Sequence, residues 1–390
     1  MFSRELQVVV ACLGSRFGVS LVFPLLQQQL DKSVEFSTPV TSYRSLEEGV
    51  FLLRNDFPVY SGGVVHHAPL LVVLMSALGN SALTSLLYAC ADALIAYQLI
   101  AMTRCFPKSK IPAWVPGALY VINPLVLLSS VSKSSVVFTN LAITTALLSA
   151  MQKRTLVAAA AIAMAGYLSL YPLLLLVPIF SLLPQEKLKV TFICLIVLSG
   201  LLLSSYKINN DDWNYLFSTY GVISTFSKII PNLGLWWYFF VELFEMFIPF
   251  FKAVFNLFVV SCIIPFSLRF HDQPFYAFVL CLGWITLTKS YPTLGDGGFL
   301  LSFVPFFQPL YGYFRYSVIS TLLFIHVIVL SPIFYHLWVD LGSGNSNFFY
   351  AISLVYALAV STVLVDLVWA MLRIEYDNGT PNLNLKLTSI

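Results

Sequence analysis

SNFFYAISLVYALAVSTVLVDLVWAML, residues 346–372, decides the fold: 27 residues carry a single charge, Asp366. A helix rises about 1.5 Å per residue, so this run is long enough to cross the roughly 30 Å hydrocarbon core of a bilayer. Working outward, apolar runs of this kind recur over the whole chain. They lie at 6–26, 82–101, 112–130, 134–151, 155–170, 172–184, 188–206, 250–268, 275–288, 298–310, 315–338 and 346–372. The expectation is an all-α integral membrane protein with about twelve transmembrane or re-entrant helices. Segments such as 172–184 and 298–310 are too short to span alone, and Pro172, Pro178 and Pro292 mark breaks there.

The composition agrees. Hydrophobic residues are 58% of 390, charged residues 10%, and the mean hydropathy is +0.84. A soluble domain carries about a quarter charged residues. One multi-span membrane domain over 1–390, with no separate soluble domain, follows. A net charge of +3, spread out, argues against nucleic acid as a partner. None of the six cysteines is spaced as in C-x-x-C, so neither a zinc site nor a disulfide framework is indicated. Residues 6–26 lack a small-residue cleavage pattern and read as an uncleaved first span.

Lysine and arginine set the orientation. Twelve of them, from Arg4 through Arg104, Lys108, Lys110 and Arg269 to Arg373 and Lys386, fall on one side; seven fall on the other. Both termini are therefore expected in the cytoplasm, together with the tail 373–390. The opposite side receives the polar loops at about 27–66, 207–232, 289–297 and 339–345. Asn378, in the one N-x-[ST] sequon, falls on the cytoplasmic side and is expected to stay unglycosylated.

Those polar loops hold the candidate site residues. In 27–66, Ser42 precedes an amphipathic stretch, Tyr43 to Leu53, and Glu47 and Glu48 are adjacent carboxylates. Neighbouring helical positions do not converge on one substrate atom, so they are a poor acid–base pair. His66 and His67 diverge for the same reason and have no spaced acidic or cysteine partner, so no metal site is expected. In PNLGLWWYFFVELFEMF, 231–247, Trp236, Trp237 and Phe240 cluster where aromatic rings settle at a membrane interface. A helix over 233–247 is expected there, bent at Pro249, with Glu242 and Glu245 on one face. KSYPTLGD, 289–296, places Lys289, Tyr291 and Asp296 in a turn. GSGNSNFF, 342–349, puts Asn345 and Asn347 at a helix start, where Asn345 or Ser346 can cap and free N–H groups attract anions. Arg16 and Asp92 lie at similar depth within spans, and unpaired charges are costly there, so a structural ion pair is expected.

Six blocks together carry a resemblance: VEFSTPVTSYRSLEEGVFLL (34–53), PVYSGGVVHHAPLL (58–71), INPLVLLSSVSKSS (122–135), PNLGLWWYFFVELFEMF, KSYPTLGD and GSGNSNFFYAISL (342–354). In order and over almost the whole chain they resemble PIG-U, the multi-span subunit of glycosylphosphatidylinositol (GPI) transamidase, in a compact fungal-type form. The resemblance implies an endoplasmic reticulum membrane location. It implies partners of the PIG-K cysteine-protease, PIG-T, PIG-S and GAA types, and a role in binding and presenting the GPI lipid. No catalytic residue and no cofactor is expected in this subunit. By that reading Asn345, Asn347, Lys289 and Tyr291 meet phosphate and hydroxyl groups of GPI, and Trp236, Trp237 and Phe240 line the acyl or glycan edge of a cleft open to membrane lipids. A more distant similarity links the first loop to polyprenyl-phosphate-dependent (GT-C-like) glycosyltransferases. Those carry an acidic pair where this chain has Thr38, Pro39, Val40, Thr41 and Ser42. The alternative is an active glycosyltransferase of the GPI pathway, and a transporter ranks behind both.

Overall fold

The computed structural model describes residues 3–106 and 111–377. Lys108, Lys110, Asn378, Lys386 and the tail beyond 377 lie outside the described residues. Among the described residues the secondary structure is helical and no strand occurs.

Among the described residues six helices are long and apolar enough to cross a membrane: Arg4–Val22, Ser81–Thr103, Lys187–Ile208, Glu245–Arg269, Ser317–Asp340 and Ser346–Tyr376. A bent pair, Trp114–Ile122 and Pro124–Val131, raises the number to seven if counted as one span. Of the dozen transmembrane or re-entrant helices expected, six or seven have the length of a full span. Val136–Met151, Thr155–Leu168, Tyr171–Leu182 and Pro274–Thr288 are helical where expected but fall short of a full crossing. Segment 298–310 divides into a helix, Leu294–Leu301, and a looser 3-10 stretch, Val304–Tyr313.

The 61° bend between Trp114–Ile122 and Pro124–Val131 has a local cause. Pro124 has no N–H to continue the first helix, and Asn123 caps the second by accepting from Leu125 N at 3.0 Å. The Asn123 amide also donates to Gly298 O at 3.0 Å, which ties the bend to Leu294–Leu301. A Cβ at Gly298 would lie 2.7 Å from Leu125 Cβ, so glycine is what lets these two helices touch.

Side-chain contacts show which loops share an end. Arg104 pairs with Glu5, and Arg269 pairs with Glu375 at 2.6 Å. Phe106 packs on Phe275 and Phe306. Residues near 4, 105, 270 and 375 therefore share one end of the bundle, as the charge bias requires. Asp366 lies near this end too. It is buried rather than at the surface, because its carboxylate accepts from Arg315 N at 3.0 Å and Tyr316 N at 2.9 Å at the start of the helix Ser317–Tyr335.

Exposure separates two kinds of helix. Only 11–22% of the apolar windows of Arg4–Val22, Lys187–Ile208, Glu245–Arg269 and Ser317–Asp340 is buried, against 67% for Ser81–Thr103. The first group presents leucine, isoleucine and phenylalanine outward, which only lipid or another protein can cover.

Candidate functional site

The opposite end of the bundle is organised by the first long loop. Asp31 fixes the surface helix Tyr43–Arg54: its buried carboxylate accepts from Tyr43 N at 2.8 Å and Arg44 N at 3.0 Å, with longer bonds from Ser37 and Ser42 hydroxyls. Asp31 thus holds a helix start, with three of these bonds on Oδ1 and one on Oδ2. Burial raises its pKa, against the pull of those N–H groups. Glu35, the other buried acid of the loop, accepts from the Ser33 and Ser331 hydroxyls. Its backbone carbonyl accepts from Leu294 N at 2.8 Å.

Paired histidines complete the frame by reaching backbone carbonyls. His67 Nε2 lies 2.8 Å from Ser42 O, so the neutral ring donates there; burial lowers its pKa to about 4. His66 Nδ1 lies 2.7 Å from Ser218 O, which leaves Nε2 as an acceptor. Burial lowers its pKa as well, helped by Lys228. Tyr291 closes the ring of contacts by donating to Lys228 O at 2.8 Å, and burial pushes its phenol up. The segments near 31–67, 218–228 and 289–296 thus form one hydrogen-bonded cap.

Two cavities open in this cap, and His66 lines both. The inner one, ≈ 50 Å³, is bounded by Thr41, Asn140, Lys289 and Asp296 among others. Lys289 Nζ sits 2.6 Å from Asp296 Oδ1. Asp296 Oδ2 accepts from Thr293 N at 2.8 Å, the capping box that starts Leu294–Leu301. The outer one, ≈ 540 Å³, is open and lies between Asp31, Arg44, His66 and Lys228.

The aromatic island packs beside this cap. Trp236 Nε1 donates to Thr288 O at 2.8 Å, Trp237 Nε1 to Ser353 Oγ at 3.4 Å, and Phe226 touches Trp236, Phe240 and Tyr291. Trp236, Trp237 and Phe240 are at most 2% exposed. Their expected place along an open lipid edge is therefore corrected: buried indoles find backbone and hydroxyl acceptors inside the protein and form a wall behind the polar residues. The helix here is also shorter than expected, Trp236–Glu242, because Leu243 and Phe244 turn extended. The break falls there and not at Pro249, which sits harmlessly in the first turn of Ile248–Ser261. Glu242 and Glu245 consequently belong to different elements and do not share a face.

Asn345 caps the last helix, accepting from Asn347 N at 3.0 Å and Phe348 N at 3.3 Å. The Asn347 side chain is bonded to the Tyr238 hydroxyl, and Tyr238 stacks on Tyr350 with centroids 4.5 Å apart. Ser353 Oγ donates to Asn232 O at 2.9 Å, and Tyr356 OH to Thr293 O at 2.9 Å. The islands 232–242, 288–296 and 345–356 are thus brought into contact. Within them Lys289 and Tyr291 line the inner cavity, while Asn345 and Asn347 face outward near Tyr238. The expected pairing of Arg16 and Asp92 is a contact in the structure, 2.8 Å and almost wholly buried, at a distance from this cap. Sequence reasoning missed Asp31, Asn140 and Lys228 as parts of the cap; isolated polar residues beside apolar runs carry no periodic signal.

With this geometry in place, the chain can be set beside known proteins. A family model described as "PIG-U: GPI transamidase subunit PIG-U" matches residues 10–356. The GPI transamidase component GAB1 of Saccharomyces cerevisiae is 57% identical over 394 residues, covering 100% of both chains. The GPI-anchor transamidase component PIGU of Homo sapiens is 30% identical, covering 95% of this chain and 94% of its own. The GAB1 homolog of Schizosaccharomyces pombe is 29% identical over 93% of this chain and 92% of its own.

Proposed function

The chain belongs to the PIG-U family of GPI transamidase subunits, and on that premise we propose that it is a non-catalytic subunit that binds the GPI lipid and presents its head for attachment to precursor proteins in the endoplasmic reticulum. Its partners on this reading are a PIG-K-type cysteine protease and PIG-T-, PIG-S- and GAA-type subunits. The observation that carries the reading is the meeting of the three polar islands at one end of a membrane bundle, with Lys289, Tyr291, Asn345 and Asn347 set against a rigid aromatic wall. An amphiphile whose chains stay in the bilayer while its head leaves it needs such a border of apolar belt and polar cap.

The catalytic alternative has less support, because residues 38–42 hold no carboxylate where the glycosyltransferases carry an acidic pair. Asp31 and Glu35, the buried carboxylates of the first loop, accept bonds from within the protein. A glycosyltransferase needs a carboxylate to take the acceptor's proton.

The test is Asn345→Ala with Asn347→Ala in the assembled complex. A hydrogen bond to a charged group is worth about 1.5–3 kcal/mol, so anchoring of a reporter precursor at limiting GPI should fall roughly tenfold or more while assembly persists. Wild-type anchoring with normal assembly would reduce the two asparagines to a helix cap. Turnover of a lipid-linked mannose donor by the isolated chain would reverse the non-catalytic assignment.

A further inference from the structure

The outer cavity of the cap is separate from the asparagine border and has its own chemistry. Its ≈ 540 Å³ is large enough for a head group, and its walls come from the end of Pro24–Lys32, the start of Tyr43–Arg54, the turn at 63–66 and the irregular segment 228–230. Three cations line it, Lys32, Arg44 and Lys228, against two carboxylates, Asp31 and Glu48. Asp31 is already satisfied by backbone N–H groups and lies 3.7 Å from Arg44 Nε, so that pair cancels. Among the described residues neither Lys32 nor Lys228 has a carboxylate partner. Lys228 is held in place through its own carbonyl by the Tyr291 hydroxyl. His66 is held through Nδ1 and offers Nε2 as an acceptor on the same wall. Two unpaired ammonium groups around a roomy basin, with one ring acceptor beside them, suit a phosphate ester that carries a hydroxyl or amine close by.

We infer that this basin binds the phosphate ester of a head group between Lys32 and Lys228, with His66 accepting from a neighbouring hydroxyl or amine. The phosphate comes either from a bilayer lipid or from a head group that enters from the aqueous side; the ligand chemistry is the same. The inference does not need GPI to be that lipid.

The full chain in phosphatidylcholine nanodiscs doped with phosphatidylinositol tests it. Native mass spectrometry counts retained phosphatidylinositol, and O-phosphoethanolamine is titrated by phosphorus NMR. Wild type should hold one of these probes. Lys32→Gln with Lys228→Gln should weaken that binding at least about tenfold, as loss of charge-assisted bonds requires. Lys228→Arg should retain it, and Lys207→Gln, at an exposed lysine paired with Asp211 outside the basin, should leave it unchanged. Phosphatidylinositol that stays bound against excess O-phosphoethanolamine assigns the phosphate to a bilayer lipid; displacement, or binding of O-phosphoethanolamine alone, assigns it to a head group entering from water. Equal binding by wild type and the double lysine variant, both helical by circular dichroism, overturns the inference, as does failure of wild type to bind either probe. Loss of binding in the Lys207→Gln variant as well would make the effect one of bulk charge rather than of the basin and overturn it too.

Discussion

Two ion pairs in this molecule use the same charges in opposite ways. Arg16–Asp92 is 1% and 0% exposed; Asp92 also accepts from Tyr120 OH at 2.6 Å, and Arg16 Nη1 donates to Val121 O at 2.9 Å. It is sealed among helices. Lys289–Asp296 is 13% and 9% exposed and borders a cavity in the cap. The first pair has every reason to stay closed, since opening it strands charge in an apolar interior. The second faces a space that a ligand or water can enter, so its charges can be shared. Burial separates a structural pair from a usable one, even where the contact distances, 2.8 and 2.6 Å, are nearly equal.

The largest effect should come from the sealed pair. Asp92→Ala leaves Arg16 uncompensated and should cost about 3–5 kcal/mol, read as loss of folded chain in detergent melts. Arg16→Met with Asp92→Leu should be milder than either single change; a loss equal to the sum of the two would dissolve the pair as a unit.

His67 sharpens the contrast from the cap side. Its folded pKa of about 4 lies below the ordinary 6.5, so the neutral ring is favoured by folding. Stability from this group is complete above pH 6.5 and is lost as pH falls toward 4. By linkage that amounts to about 3 kcal/mol. Melting temperature against pH should show this loss, and His67→Gln should flatten it; an unchanged profile would remove His67 as the source.

Lys289→Met comes next. Asp296 keeps its bonds from Thr293 and stays near the cavity, so the loss should be about 1.5–3 kcal/mol, smaller than for Asp92→Ala. If the two variants melt alike, burial is not what distinguishes the pairs. The smallest effect is the cap at Asn345: Asn345→Ala should cost about 1 kcal/mol, and Asn345→Asp should restore most of it.

Hydropathy was enough to find Ser346–Tyr376 and Ser81–Thr103, because a long apolar run has few alternatives in water or lipid. The helix that follows Ser42, and the depth match of Arg16 with Asp92, were legible for equally local reasons. The bend at Asn123–Pro124 was within reach, since asparagine before proline is both a stop and a start, yet 112–130 reads as one crossing when hydropathy alone is weighed. The aromatic island misled for a physical reason. Tryptophan suits a membrane interface and a buried site with an acceptor equally well, and the acceptors, Thr288 O and Ser353 Oγ, are 52 and 116 residues away. Of the cap, Lys289, Tyr291 and Asp296 were visible as an odd turn. Asp31 and Lys228 were not, because their roles exist only once distant loops meet.

The tie between Glu35 and the segment near Leu294 bears on how the chain is made. Ser331 reaches the Glu35 carboxylate across 296 residues, and Asn123 reaches Gly298 across 175. During synthesis, then, the first loop and the bent pair make their local bonds first, and the bonds of Glu35 to Ser331 and of Asn123 to Gly298 wait for most of the protein to follow. Nascent chains ending before 294 lack the donors and the glycine that close the cap. A substitution at Gly298 or Ser331 is therefore expected to act on the closing of segments made long before it.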